Sequence, residues 1–305
     1  MSEPVPGQAR DASGLVVVDK PKGWTSHQVV ARCRRLYGTR RVGHAGTLDP
    51  MATGVLLVGV GRATRLLGHL AGHDKTYVAT IRLGEATTTD DAEGESVSAA
   101  GAAAITEEQV RGAVGRFVGP ISQVPSSVSA IKVDGKRAYA RVRAGEQVEL
   151  AARQVTVSRF AITGIETVPG TPVMLDVDAE IDCSSGTYIR ALARDLGALL
   201  GVGGHLTALR RTRIGAFDIS MAALDGAALE AGEPVPLLGL ADVARRAFPV
   251  LEVGRDAAED VRHGRSLDVA VPADVTAIVH DDTLLALYRP GPDGGSVPVA
   301  VLVAG

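Results

Sequence analysis

Strand-like and helix-like patterns follow one another irregularly along this chain, and that irregularity most constrains its fold. Residues 14–19, Gly-Leu-Val-Val-Val-Asp, form a β-rich run closed by the turn signal Lys20-Pro21-Lys22-Gly23. A helix follows, capped by Thr25 or Ser26, with Val29, Val30, Cys33, Leu36 and Tyr37 at helical spacing. Residues 55–60 read as a buried strand and 63–70 as a short helix. Tyr77, Ala79, Ile81 and Leu83 then alternate with Thr76, Val78, Thr80 and Arg82, as in a strand with one buried face. Residues 88–104 read as an exposed acidic, then Ala/Gly-rich, excursion. A capped helix at 106–117, strands at 128–133, 154–163 and 173–183, and an amphipathic helix at 187–200 follow. Strands that do not alternate regularly with helices predict an α+β chain, with a mixed, mainly antiparallel sheet and flanking helices. From about residue 248, short strands separated by Gly, Asp and Pro predict a small β-rich module at 248–305.

Composition narrows the class. A length of 305 residues allows one large and one small domain, and 46% apolar with 22% charged residues excludes a disordered chain. Cys33 and Cys183 are the only cysteines, which argues against a disulfide framework or Cys-rich zinc site and fits a reducing cytoplasm. Residues 1–13 have no apolar signal-peptide core and read as a disordered leader. No apolar run approaches the roughly 20 residues that span a bilayer, so no membrane partner is expected.

Net charge is −3, yet the basic residues cluster. Lys20, Lys22, Arg32, Arg34, Arg35, Arg40 and Arg41 form one group, Lys132, Lys136, Arg137, Arg141 and Arg143 a second, and Arg210, Arg211 and Arg213 a third. Such asymmetry draws a polyanion to one face, although solvated helix faces give the same pattern.

The segment Arg41 to Gly54 holds one carboxylate, Asp49, and one imidazole, His44, among small residues. Pro50 biases Asp49 away from the helical region, and the glycines allow a bulky planar substrate to approach. Asp49 also suits a purely local role, bracing its own turn. Tyr77 is either a core tyrosine or a flat platform for a nucleobase. Arg190, one turn into a helix after Ser184-Ser185-Gly186-Thr187-Tyr188, is either a surface arginine or a bidentate partner that keeps a carboxylate ionised. His69 and His73 have metal-ligand spacing but no third ligand, and Gly59-Val60-Gly61 lacks the third glycine of a dinucleotide loop. No Gly-x-Ser-x-Gly elbow occurs.

Taken together, these segments resemble the bacterial tRNA pseudouridine-55 synthases, the TruB family. The resemblance runs through Gly14–Ser26, Gly43–Gly54, Asp74-Lys-Thr-Tyr77, Ser129–Arg137, Gly186-Thr-Tyr-Ile-Arg190 and Leu209–Arg213. It implies a pseudouridine-synthase fold at 14–247, a PUA-like RNA-binding domain at 248–305, and a monomer that acts on the T-arm and elbow of tRNA without metal or cofactor. It also implies residue roles. Asp49 is the essential carboxylate, and Tyr77 stacks on the flipped base and serves in proton removal. Arg190 pairs with the aspartate, and Tyr188 lies in the same motif. His44 fills the space left by the extruded base, Leu209 lines the pocket, and Lys20 and Lys132 contact substrate. Val128 stands where the family often has an aromatic residue. Two other readings share the surface: a tRNA-folding chaperone with incidental catalysis, and the catalytic subunit of a guide-RNA particle. The lack of lysine-rich tails disfavours the second.

Overall fold

The computed structural model describes residues 13–126, 132–133, 136–137 and 151–303. Residues 1–12 of the leader expected at 1–13, Val128, Arg141 and Arg143 lie outside the described residues. Lys132 is described at the backbone only, where Lys132–Val133 pairs antiparallel with Lys136–Arg137. The described residues divide into two compact units: the stretches up to Pro50, Gly54–Gly72 and from Ile214 onward, and Met51–Thr53 with His73–Arg213.

In the first unit, Gly14–Lys20 runs antiparallel to Thr53–Val60, with Leu15 opposite Gly59 and Lys20 opposite Gly54. Both faces of this pair are covered, which is why its sequence is a continuous Val/Leu run rather than an alternation. On one face, Val16, Val18, Leu56 and Val58 pack with Val29, Val30 and Cys33 of the Ser26–Leu36 helix. That helix opens on Thr25, whose hydroxyl and the Gln28 side chain form a reciprocal capping box. On the other face, Leu15, Val17, Val55 and Leu57 share a core with Ala277, Val279, Leu284, Leu287 and Leu302. Of these last residues, all but Leu302, which directly follows its final strand, belong to a four-stranded sheet in the order Val250–Glu252, Thr276–His280, Thr283–Pro290, Ser296–Val301, parallel at the first pair and antiparallel beyond it. The C-terminal region is thus β-rich, with the helix Arg255–Arg262 packed against this sheet, and it belongs to the same compact unit as the N-terminal strands.

The second unit is built on strands in the order Gly204–Ile214, Lys75–Leu83, Met174–Cys183, Arg153–Val168, Gly119–Gln123. The last four pair antiparallel in succession. The helices Glu107–Val114 and Ile189–Leu199 belong to the same unit. On Lys75–Leu83, Tyr77, Ala79, Ile81 and Leu83 are buried, as the alternation requires.

Some local expectations are corrected. Val42–Ala45 is a strand against Thr53–Val60, not part of a loop; Gly43 and Ala45 are too small to show a strand pattern. Gly204–Ile214 was not legible as a strand, because inward positions include Arg211, which is 1% exposed. Residues 63–70 split into a 3-10 turn at Gly61–Arg65 and a helix at Leu67–Ala71. The acidic excursion is not wholly exposed, since Asp91 is buried. His69 packs edge-on against Phe248, with ring centroids 6.4 Å apart. Both cysteines are free and buried, and burial pushes each thiol up to about 11.

Candidate active site

Asp49 sits half-buried in the first unit, on a loop held from both sides. Gly46 turns the chain out of the Val42–Ala45 strand at φ +70°, a conformation that favours glycine. One residue before the aspartate, Leu48 donates its N–H to Ser26 Oγ at 3.0 Å, and Ser26 donates back to the Leu48 carbonyl at 3.2 Å. One residue after it, the Pro50 carbonyl accepts from the Gly23 N–H at 2.8 Å and from Lys20 Nζ at 3.2 Å. The motif Lys20-Pro-Lys-Gly-Trp-Thr-Ser26 is thus a backbone clamp on the carboxylate loop. His44, opposite Val58 on its strand, meets the His27 ring edge-to-face at 5.5 Å.

Lys20 departs from its expected role as a substrate contact. Its side chain is fully buried, and the ammonium also donates to the carbonyls of Pro21 at 3.0 Å and Trp24 at 2.6 Å. Three carbonyls hold this cation to the loop, so it braces the site rather than presenting charge to solvent. Lys20→Met is expected to leave those carbonyls under-satisfied and to destabilise the protein by about 2–4 kcal/mol, read by urea unfolding. A loss of RNA affinity with unchanged stability would contradict this role.

The second unit carries the other candidates. Tyr77 is 6% exposed and lies opposite Ile181 in the sheet register. Tyr188 is the N-cap of Ile189–Leu199, and Arg190 lies in that helix's first turn, 5% exposed. Arg190 Nη1 donates to the Thr89 carbonyl at 3.0 Å and lies 3.4 Å from Asp91 Oδ2. Asp91 is itself anchored, accepting from the Thr89 hydroxyl at 2.5 Å and the Glu93 N–H at 3.1 Å. Leu209 is 7% exposed on Gly204–Ile214. Ser26 reads in the sequence only as a helix cap, and Asp91 only as part of an acidic excursion; neither is legible there as a support of the site. The Thr-rich run before Asp90-Asp91 was the available signal for a folded turn.

The basic clusters fare differently. Lys22, Arg34, Arg35, Arg40 and Arg41 are exposed, Arg34 also donating to the Val42 carbonyl at 3.2 Å, while Arg32 stacks on Trp24 at 3.6 Å. Arg211 is buried, and Arg213 donates to Thr76 Oγ1 at 2.9 Å. Burial, and secondly Arg211, push Lys75 down to about 8 from an ordinary value of 10.5. Below pH 8 this lysine is charged both folded and unfolded, and its burial penalty is undiminished. Between about pH 8 and 10.5 the folded state releases the proton first, so its penalty falls and stability rises. The two buried thiols, held up to about 11, oppose that rise above pH 9, so the prediction is read as a difference: in urea unfolding between pH 8 and 10.5, the stability of wild type relative to Lys75→Met is expected to increase with pH.

Residues 34–189 match the model of the TruB family pseudouridylate synthase N-terminal domain, and 190–231 that of the tRNA pseudouridylate synthase B C-terminal domain. The chain belongs to the TruB family. Curated relatives named tRNA pseudouridine synthase B include that of Cutibacterium acnes, 58% identical over 95% of this chain and 98% of the relative. That of Thermobifida fusca is 54% identical with the same two coverages. Among solved structures, an H/ACA RNP bound to a substrate RNA containing 2'-deoxyuridine aligns with TM-score 0.69 at 23% identity, covering 95% of this chain and 85% of that one. The archaeal box H/ACA sRNP Nop10-Cbf5 complex aligns with TM-score 0.67 at 24% identity, covering 95% and 86%. These structures share the TruB-type fold of this chain. Among the described residues, no group of three or more His, Cys, Asp or Glu side chains is arranged to hold a metal, and no helix is long and apolar enough to cross a membrane.

Proposed function

We propose that this protein converts uridine 55 in the T-loop of tRNA to pseudouridine. The observation that carries the reading is the clamp on Asp49. Motif side chains and main-chain groups fix Leu48 and Pro50, in a chain 58% identical to a named tRNA pseudouridine synthase B. Fixing the backbone on both sides of a carboxylate sets the direction in which that group is presented to a substrate.

The reaction is an isomerisation. The N1–C1′ bond breaks, the C5–C1′ bond forms, C5 loses its proton and N1 gains one. No oxidant, reductant or donated group is required, so amino-acid side chains suffice and no cofactor is proposed. Reaching C1′ and C5 inside a folded RNA requires the nucleotide to be extruded, with His44 filling the vacated space. Asp49 acts on the sugar as nucleophile or base, and Tyr77 stacks on the base and serves in removing the C5 proton. Arg190 keeps the carboxylate ionised, and Tyr188 and Leu209 complete the pocket. The exposed arginines of the first cluster, with Lys132, grip phosphates and position the elbow without reading its bases. On this reading residues 14–247 carry the chemistry, 248–305 add PUA-like RNA contacts, and the enzyme works as a cytoplasmic monomer.

The test is pseudouridine mapping in an unmodified tRNA transcript incubated with wild-type protein in metal-free buffer. Product confined to the T-loop uridine supports the proposal. Binding without product from wild-type protein would overturn it and favour an RNA-folding role.

A further inference from the structure

Gln123 lies outside every motif that drew attention in the sequence, yet its side chain is among the most buried polar groups, at 1% exposed. It ends the Gly119–Gln123 strand. Its Oε1 accepts the Tyr188 N–H at 2.8 Å, and its Nε2 donates to the Tyr188 carbonyl at 2.9 Å. One amide therefore pairs with both polar groups of a single residue, as a neighbouring strand would.

The pairing meets a local need. Tyr188 is the N-cap of Ile189–Leu199, and no side chain caps that end from within the helix. Its carbonyl already accepts the Leu192 N–H at 3.2 Å as the helix begins. Gln123 adds the lateral restraint that sets where the helix starts, and so where Tyr188 and Arg190 stand. The next residue reinforces it: the Val124 carbonyl accepts from Arg194 Nη2 at 2.8 Å, and Arg194 Nη1 reaches Asp90 Oδ2 at 3.3 Å. Asp90 adjoins Asp91, which lies beside Arg190. The first two turns of the helix are thus tied to one strand end, and the arginine in them is tied to the turn that Arg194 also holds.

We infer that Gln123 is a positioning residue for pseudouridine formation, acting through the Tyr188 backbone on the placement of Tyr188 and Arg190. The inference rests on the activity proposed above and adds a residue to it. Both donor and acceptor are required, so a group offering only one should fail in a recognisable way. Gln123→Glu keeps the shape and the acceptor. Ionised, it sets a carboxylate oxygen against the Tyr188 carbonyl; protonated, it supplies an O–H in place of the lost N–H. Burial raises a carboxyl pKa, which brings that switch into the working range of the assay.

The experiment compares wild type, Gln123→Leu and Gln123→Glu in single-turnover pseudouridine formation on unmodified tRNA between pH 5.5 and 8.5, with tRNA binding and thermal melts in parallel. Gln123→Leu is expected to lose about 10- to 100-fold in rate, the scale of an ångström-level misplacement, with tRNA affinity within about threefold of wild type. Gln123→Glu is expected to lose as much at pH 8.5 and to recover relative to wild type as pH falls. A merely structural role would show its recovery in the melts instead, with the rate unaffected wherever the variant is fully folded at the assay temperature. If Gln123→Leu melts below the assay temperature, the Gln123→Glu profile decides alone. A Gln123→Glu rate ratio that stays flat with pH, or both variants within twofold of wild type, would overturn the assignment while leaving the activity standing. No product from wild type would remove the activity and this role together.

Discussion

Asp49→Asn will form pseudouridine at least about 10⁴-fold more slowly than wild type, while binding tRNA within about threefold of it. Asparagine matches aspartate in size, and the bonds that shape the loop run through its neighbours. Leu48 is held by Ser26, and Pro50 by Gly23 and Lys20. The substitution therefore removes charge and basicity while the bonds at Leu48 and Pro50 remain to hold the loop. Single-turnover product formation measures the loss, and filter binding measures the retained affinity. A variant that still turns over within tenfold of wild type would show that the carboxylate does not act on the sugar.

The second large effect lies at Arg190 and Asp91, both almost fully buried. Removing Arg190 takes the ion-pair partner from the buried Asp91 carboxylate, a change that costs about 3–5 kcal/mol. Arg190→Met should therefore melt well below wild type and lose activity together with stability. Asp91→Asn should be milder, because an amide oxygen still accepts from the Thr89 hydroxyl and the Glu93 N–H. Combining the two should cost clearly less than the sum of the singles, since the second change removes a charge the first had orphaned. Additive losses in urea unfolding would mean that the pair is not energetically coupled.

The sequence exposed the elements whose side chains carry a period. The Tyr77 strand alternates, the 187–200 helix repeats its apolar face, and the turns at Lys20–Gly23 and after Leu36 are punctuated by glycine. What it hid were positions where a polar group is buried for a partner distant in sequence. Arg211 interrupts the apolar alternation of Gly204–Ile214, so that strand read as a basic cluster. Asp91 read as solvated charge because its partner, Arg190, lies 99 positions further along. Lys20 read as a phosphate contact because nothing local announces that three carbonyls surround its ammonium. The candidate residues themselves were legible through the ordered motifs. Their supports, Ser26, Asp91 and Gln123, were not, because hydrogen-bond satisfaction is a property of the fold and leaves no periodic trace.

The core shared by Leu15, Val17 and Leu57 with Val279, Leu287 and Leu302 has a consequence for how the protein is made. A ribosome releases the Gly14–Val60 strands long before the residues that cover their second face. Residues 73–213, which make up most of the second unit, emerge next as one stretch. The strands that carry the Asp49 loop wait with an apolar surface uncovered until the last hundred residues arrive. Nascent chains stalled before that point are expected to carry the Asp49 loop with its local bonds but to leave Leu15, Val17 and Leu57 uncovered on one face.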